Sequence, residues 1–287
     1  MKKGYVDFHL HTTHSDGKCS VEETIQAAQN EGLSAIAITD HNCFALEHPM
    51  KCEDLEVIPG AEFSTIYHYG NNKKTELHLV GLFFNGVDLS LNDMFQNINK
   101  MPYVKALVDK MNDLGNSLTL EEVIEHHKTN QNLKKEIGRH DVAEVLVKKG
   151  YSIGIEEAMD EWVGNLSPHC INPAEYIQYV DLEECVHRIC DSPTHPGLPI
   201  LAHPFFYRLS LEEIEELVAY YRSITDKPLG IEVYYRNYSD DTIAYLEQLA
   251  EKYHLLPSAA SDRHRPVQPF KMGDYKLLED MKKAMHI

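Results

Sequence analysis

The sequence has few positive charges for its size. It contains 27 Lys and Arg against 45 Asp and Glu, which gives a formal net charge of −18 over 287 residues. A groove that binds a long nucleic acid needs clustered Lys and Arg to neutralise the phosphates. Long polynucleotides are therefore poor substrate candidates. Bound divalent cations would make the local field positive, so small phosphorylated molecules remain the expected partners.

Signals for secretion and membrane insertion are also scarce. The six cysteines include no Cys-x-x-Cys pair, and residues 1–4 lead into a predicted strand rather than an apolar leader. Apolar runs such as residues 35–39 and 79–84 have the length of a strand and are too short for a membrane span. We therefore expect a reduced, cytoplasmic protein with no membrane partner.

The chain instead shows an alternation of strand and helix patterns. Residues 5–11 alternate so that Asp7, His9 and His11 share one face of a strand. Ser20-Val-Glu-Glu23 has the form of a capping box and predicts a helix that ends near Gly32. Further strands are predicted at 35–39, 56–58, 76–84, 199–202, 230–234 and 255–260, and further helices at 211–222 and 241–253. This pattern predicts a parallel α/β array of about seven strands.

The middle of the chain has a different pattern. Helical segments follow one another without clear strands, at residues 104–114, 120–127, 141–149 and 182–190. We interpret this region as an inserted helical subdomain. The predicted division is a barrel domain at residues 1–88 and 197–287 and a helical insertion at 89–196.

Polar residues collect at the ends of the predicted strands, where parallel α/β barrels carry their reacting groups. Glu62 is expected just after the strand at 56–58, and His78 within the strand at 76–84. Any one such residue could be a core histidine, a turn or a surface carboxylate. Nine of them would be hard to satisfy without bound metal. The nine are His9, His11, Asp16, His41, Glu62, His78, His203, Asp262 and His264.

The types and spacing of these residues indicate more than one ion. His9 and His11 stand at i and i+2 of a strand, so both imidazoles can reach a single cation. Imidazole and carboxylate together suit Mn, Fe or Zn better than Ca or Mg, and Glu62 can bridge two ions. We expect two or three divalent ions. Asp40 is expected to orient an imidazole, and Glu232 is expected either to support the ligands or to pack in the core.

Six motifs run along most of the chain in order. They are Asp7-Phe-His-Leu-His-Thr-Thr-His-Ser-Asp-Gly17, Ile38-Thr-Asp-His41, Pro59-Gly-Ala-Glu62, Leu77-His78, Ala202-His-Pro204 and Ser261-Asp-Arg-His264. Together they resemble the motifs of the polymerase and histidinol phosphatase (PHP) family. The resemblance implies a distorted seven-stranded (β/α)7 barrel with three metal ions.

The resemblance also implies a role for each ligand. The first ion would be held by His9, His11, Glu62 and Asp262. The second would be held by Glu62, His78 and His203, and the third by Asp16, His41 and His264.

Within the family, the chain is most similar to the small nucleotide phosphoesterases whose barrel carries a helical lid. This likeness implies release of phosphate from a nucleoside 5'-monophosphate or a 3',5'-bisphosphorylated nucleotide, and some members degrade short oligoribonucleotides. Histidinol-phosphate phosphatase is the alternative within the family. A non-catalytic module that binds metal or nucleotide, and a hydrolase of amide or lactone bonds, are alternatives from other classes.

The expected chemistry is direct attack of a metal-activated hydroxide on phosphorus. Asp262, His203 and His264 are the candidate proton donors for the leaving oxygen. Arg139 and Arg263 are candidate contacts for the substrate, because a guanidinium group matches two phosphate oxygens.

Two segments of the insertion depart from the relatives' pattern. Arg139-His140-Asp141 has Asp where an Arg-x-His motif has His. Asn172-Pro-Ala-Glu-Tyr176 lacks the Lys that usually precedes the corresponding Tyr. The contacts between the insertion and phosphate are therefore expected to differ from those of the relatives.

Overall fold

The computed structural model describes residues 4–95, 98–129, 137–271 and 273–287. Its described strands belong to one sheet that curls into a nearly closed barrel. The strands are β1 (Tyr5–Leu10), β2 (Leu33–Ile38), β3 (Met50–Cys52), β4 (Leu55–Tyr69), β5 (Lys73–Leu82), β6 (Val180–Asp181), β7 (Leu198–Leu201), β8 (Gly230–Tyr235), β9 (Leu256–Ala260) and β10 (Gly273–Asp274).

The order of strands in the sheet matches an α/β barrel. Neighbouring strands follow the path β10-β1-β2-β4-β5-β7-β8-β9, and β3 and β6 pair with β4. An isolated parallel bridge joins Leu10, at the end of β1, to Arg263, beyond β9. The two ends of the strand path therefore approach each other. The expected α/β barrel class is confirmed, with a path of eight strands of mixed direction.

The expectation of a fully parallel array is wrong at β5. This strand runs antiparallel to both β4 and β7. Strand β4 is much longer than the predicted segment at 56–58, and only residues 70–72 connect it to β5. Such a short connection joins antiparallel strands, whereas a parallel pair needs a crossover of a dozen residues or more. Glu62 consequently lies inside β4 rather than after it.

The predicted helices are confirmed to within a few residues, while α5, α9 and the short strands β3, β6 and β10 were not predicted. At the start of α1, Ser20 Oγ accepts from Glu23 N at 3.2 Å and Ser20 N donates to Glu23 Oε2 at 2.8 Å, which completes the capping box. The helices are α1 (Val21–Asn30), α2 (Met101–Asp113), α3 (Leu120–Thr129), α4 (Arg139–Lys148), α5 (Ile155–Ala158), α6 (Leu182–Cys190), α7 (Leu211–Ser223), α8 (Asp240–Lys252) and α9 (Lys276–Ala284).

Helices α2 to α5 have a hydrophobic core of their own. It includes Leu107 and Met111 of α2, Val123 of α3 and Leu146 of α4. Helix α6 packs elsewhere, against the sheet in the barrel's largest apolar cluster. The division at residues 89 and 196 stays a prediction, and residues 96–97 and 130–136 of the predicted insertion lie outside the described part of the chain. We call α2 to α5 the helical insertion.

No helix in the described ranges is both long and apolar enough to cross a bilayer. The cytoplasmic location inferred from the sequence stays a prediction.

The loop after β1 folds back tightly on the end of that strand. Gly17 N donates to Thr12 O at 3.0 Å, and Lys18 N donates to His264 O at 2.8 Å. A Cβ atom at Gly17 would lie 2.5 Å from both the carbonyl carbon and oxygen of His11. Only glycine therefore allows the backbone approach that places Asp16 beside the strand end.

We expect Gly17→Ala to lower the free energy of unfolding by about 1–3 kcal/mol, because backbone atoms must shift to admit the methyl group. The matched control is Gly154→Ala, where an added Cβ meets nothing within 4 Å. Urea unfolding of the two variants beside the parent protein measures the difference. Equal stability of the two variants would contradict the proposed close approach.

Candidate metal centre

The carboxylate of Glu62 lies at the centre of the site. Its side chain is 1% exposed in the middle of β4, where Glu62 N donates to Asp40 O and Glu62 O accepts from Asn42 N. Five imidazole nitrogens surround the two oxygens. Around Oε1 are His78 Nδ1 at 2.6 Å and His203 Nε2 at 2.9 Å; around Oε2 are His41 Nδ1 at 2.8 Å, His11 Nε2 at 3.2 Å and His9 Nε2 at 3.3 Å.

The arrangement of these nitrogens fits a cation. His9 Nε2 and His11 Nε2 face each other at 3.1 Å, and two ligand atoms about 2.1 Å from one ion stand at such a separation. Glu62 Oε2 is buried, and within the described ranges it makes no aligned hydrogen bond. A divalent ion between the rings would satisfy this oxygen and the facing nitrogens together.

The structure brings all nine predicted metal ligands into one cluster. Donor atoms of His11, Asp16, His41 and His264 lie within 4.8 Å of one another, and so do those of His9, His11 and Asp262 and those of His41, Glu62 and His78. His203 joins the cluster through its contact with Glu62. These groups overlap the three ligand sets implied by the resemblance, but they share His11 and His41 between sets. The assignment of ligands to individual ions stays a prediction.

The charges within the cluster are strongly coupled. Burial alone would lower the pKa of His11 and His78, but neighbouring carboxylates outweigh it and raise these pKa values to about 10 and about 9. Burial likewise tends to raise the pKa of Glu62, yet His41, His78 and His9 hold it well below its usual value. In the absence of ions, His11 and His78 therefore bind protons at neutral pH and Glu62 remains ionised, whereas burial lowers the pKa of His41.

Glu232 and Asp40 support the cluster in different ways. Glu232 Oε1 lies 2.6 Å from His9 Nδ1, and its Oε2 accepts from His203 N at 2.7 Å. Glu232 therefore orients one ring and holds the backbone of another, as expected of a supporting residue. Asp40 accepts hydrogen bonds from Thr12 and Ser15, at 2.8 Å and 3.0 Å from their backbone nitrogens. These bonds shape the loop that carries Asp16 rather than orienting an imidazole.

Two of the nine residues have strained backbones. His203 and Asp262 have φ values of 27° and 51°, in the left-handed region that non-glycine residues rarely adopt. The hydrogen bond from His203 N to Glu232 Oε2 holds the backbone of His203. Tyr235 Oη donates to Asp262 Oδ2 at 2.7 Å and so holds the side chain of Asp262. Such strain persists only where surrounding contacts impose it, and it turns both side chains towards the cluster.

The cluster lies in a cavity of about 440 Å³ that the barrel and the helical insertion line together. The cations among its described lining residues are Lys100 and Arg139. Arg139 donates to Asn165 Oδ1, lies 3.2 Å from Glu76 Oε2 and stacks over the ring of Tyr103. The predicted substrate contact Arg139 thus lines the cavity, although carboxylate and amide groups already hold its guanidinium.

Glu76 is a cavity residue that the sequence analysis missed. Its Oε1 lies 3.5 Å from His78 Nε2, so it links Arg139 to the metal cluster. Burial tends to raise the pKa of Glu76, but His78 and Arg139 outweigh it and hold the pKa below its usual value. The signal was present in the sequence, because Glu76 and His78 stand at i and i+2 of one strand.

The other predicted substrate contact, Arg263, and the changed segment that begins at Asn172 lie outside the cavity. Arg263 is 5% exposed and donates to the carbonyl oxygens of Pro266 and Gln268, so it supports the loop after β9. Asn172 Nδ2 donates to Lys74 O at 2.7 Å. Neither residue is among those that line the cavity. His140, which the sequence analysis noted only as part of a changed motif, does line it.

Comparisons with known proteins agree with this site. A 5'-3' exoribonuclease, Rnm, of Escherichia coli K12 is 25% identical over 279 residues, which cover 93% of this chain and 87% of the relative. A 3',5'-nucleoside bisphosphate phosphatase of Chromobacterium violaceum is 23% identical, covering 91% and 87%.

The fold is shared as well. The structure of an amidohydrolase from Chromobacterium violaceum with bound sulfate superposes with a TM-score of 0.73 and 21% identity, over 98% of this chain and 96% of that one. The family model of the PHP domain matches residues 7–265. The chain therefore belongs to the PHP domain family and is a metal-dependent phosphoester hydrolase.

Proposed function

We propose that this protein removes phosphate from a small phosphorylated nucleotide, either a 3',5'-bisphosphorylated nucleotide or a nucleoside 5'-monophosphate. The observation that carries the proposal is the carboxylate of Glu62 within five imidazoles at the cavity. The nine clustered side chains would hold two or three divalent ions, with Mn, Fe or Zn suited to this ligand set. When bound, such ions supply an activated water and neutralise phosphoryl oxygens.

The protein's own groups perform the remaining tasks. Arg139 faces the cavity with a planar guanidinium group that can bind two phosphate oxygens. Nearby, Tyr103 Oη is buried and lacks a hydrogen-bond partner within the described ranges, so it is available to a bound ligand. Both residues belong to the helical insertion, which gives the insertion a role in holding the substrate.

Three cluster residues are proposed as proton donors to the leaving oxygen: Asp262, His203 and His264. Asp262 and His264 have side chains about one-fifth exposed at the cavity, whereas the side chain of His203 is 7% exposed. A donor must reach the leaving oxygen directly or through one water. Exposure therefore favours Asp262 or His264 over His203. His264 is the better donor of these two because, against the effect of burial, neighbouring imidazoles hold the pKa of Asp262 well below its usual value while Asp16 and Asp262 raise the pKa of His264.

A small substrate fits the charges around the cavity. Lys100 and Arg139 can neutralise one or two phosphates. A long polynucleotide needs a continuous track of cations, and the chain as a whole carries a net charge of −18. These features support a mononucleotide or a short chain.

Removal of nucleotides from the 5' end of short RNA is the second candidate. The name of the Escherichia coli relative supports it. The same centre could serve both reactions, since each breaks a phosphoester bond by attack of water on phosphorus. The two candidates differ in the product, which is inorganic phosphate in one case and a nucleotide in the other.

We expect protein loaded with manganese to release phosphate from 3',5'-bisphosphates or 5'-monophosphates, to lose this activity on chelation and to regain it with metal. The panel should also contain 5'-phosphorylated oligoribonucleotides and histidinol phosphate. Release of single nucleotides from the oligoribonucleotides would favour the exoribonuclease activity. Turnover of histidinol phosphate alone would favour a histidinol-phosphate phosphatase. Full activity in metal-free protein would disprove the proposal.

Glu62→Gln is expected to lower turnover by at least about 100-fold, because even supporting residues of metal sites contribute about 10–100-fold. Glu247→Gln is the matched control, since Glu247 is paired with Tyr234 Oη outside the lining of the cavity. Circular dichroism of both variants checks that the fold is kept. Equal loss of activity in the two variants would contradict the assigned role of Glu62.

Metal binding is expected to release protons near neutral pH. His11 and His78 have pKa values raised to about 10 and about 9, so both rings are protonated there, whereas a metal binds the neutral ring. Calorimetric titration with Mn²⁺ in two buffers of different ionisation enthalpy measures the number of protons. The apparent affinity should rise as the pH rises. Heats that are independent of the buffer, with constant affinity between about pH 6 and 8, would refute the expectation.

Arg139→Lys tests the substrate contact without leaving Glu76 unpaired. We expect kcat/KM to fall by roughly 10-fold or more, mainly through KM, because an ammonium group cannot form the two-pronged contact with phosphate. Arg188→Lys is the control, since Arg188 donates to Ser90 O outside the lining of the cavity. If Arg139 only supports Glu76, the melting temperature falls while KM stays unchanged.

A further inference from the structure

His140 lies opposite the metal cluster, on the helical insertion. It is the second residue of α4, and its Nε2 lies 3.6 Å from Asp16 Oδ2. Its ring is nearly parallel to that of His264, with centroids 6.4 Å apart. Asp16 therefore receives one imidazole from the insertion in addition to those from the barrel.

We propose that His140 binds the ion held by Asp16, His41 and His264, so that a metal–ligand bond joins the helical insertion to the barrel. This inference rests on the proposed metal centre and adds a tenth ligand to it. It assigns to the insertion a role in metal binding besides its proposed role in substrate binding.

The distances around Asp16 support the assignment. His264 Nε2 lies 3.1 Å from Asp16 Oδ1, and His41 Nε2 lies 3.8 Å from Asp16 Oδ2. Two atoms that each stand about 2.1 Å from one ion are roughly 3–4 Å apart. The 3.6 Å separation of His140 from Asp16 falls in this range and exceeds the usual length of a hydrogen bond.

Other contacts hold α4 where His140 can reach the ion. On one side, Arg139 pairs with Glu76 of β5; on the other, Lys18 Nζ lies 3.6 Å from Glu144 Oε1. At the start of the helix, Asp141 Oδ2 accepts from Gly138 N at 2.8 Å. His140 thus stands on a helix that contacts the barrel at both sides.

His140 is at the outer edge of the cluster. The donor atoms of His11, Asp16, His41 and His264 are mutually within 4.8 Å, and His140 is outside that group. Ligation therefore requires the ring to move inward, by rotation of its side chain and a small shift of α4. An ion at this position would draw the insertion onto the barrel.

The test compares metal binding by metal-free wild type, His140→Ala and His187→Ala, titrated with Mn²⁺ by calorimetry and checked by elemental analysis. His187 is an exposed histidine paired with Asp191 and serves as the control. Wild type and His187→Ala should bind three ions. His140→Ala should keep two of them and bind the third about 10–100-fold more weakly.

Hydrogen exchange gives a second readout. Mn²⁺ should slow exchange of the amides of α4 in wild type and in His187→Ala, but not in His140→Ala, whose Arg139 and Lys18 contacts remain. Protection of the ends of the barrel strands should be equal in all three proteins, because the other ligands are intact.

Identical isotherms for wild type and His140→Ala would overturn this inference and leave the phosphoesterase proposal standing. So would a wild type that binds only two ions at any Mn²⁺ concentration. A wild type that binds no ion would instead overturn the metal centre itself. The outcomes for the two proposals are therefore distinct.

Discussion

A buried carboxylate surrounded by imidazoles is the constraint on which the rest of the structure depends. Glu62 is nearly inaccessible to water, and five ring nitrogens lie within 3.3 Å of its two oxygens. A buried charge is tolerated only with close partners of opposite charge or a metal. Protons on His9, His11 and His78 meet this need in the absence of ions, and divalent cations would meet it when bound. The same residue thus connects the stability of the barrel with its chemistry.

The barrel satisfies this constraint through its backbone as much as through its side chains. Strand β5 runs against its neighbours, and it brings Glu76 and His78 to the same side of the sheet as Glu62. His203 and Asp262 adopt left-handed conformations that Glu232 and Tyr235 stabilise. Strain of this kind costs about 1–3 kcal/mol per residue, so the remaining contacts of the core must offset it.

The helical insertion forms one wall of the cavity that holds the metal cluster. Its helix α4 places Arg139 and His140 side by side, one beside Glu76 and the other beside Asp16. The start of α4 therefore carries the proposed phosphate contact and also faces the metal cluster. In the changed motif at 139–141, the residue Asp141 has a structural role. It is fully buried, caps α4 and pairs with His127 at 3.0 Å. In this chain Asp141 fixes the helix, while His140 faces the cavity.

The sequence by itself determined most helices and all nine cluster residues, because periods of 2 and 3.6 residues and strand-end positions are local properties of a chain. The predicted strand at 56–58 ended before Pro59-Gly60, yet both residues lie inside β4, so the long hairpin and the reversal of β5 went unrecognised. Only the tertiary structure decided which arginine reaches the cavity: Arg139 lines it, and Arg263 supports a loop. It also brought His140 to Asp16, 124 positions away in the chain. The packing of an insertion against a barrel depends on such distant contacts, and no local pattern encodes them.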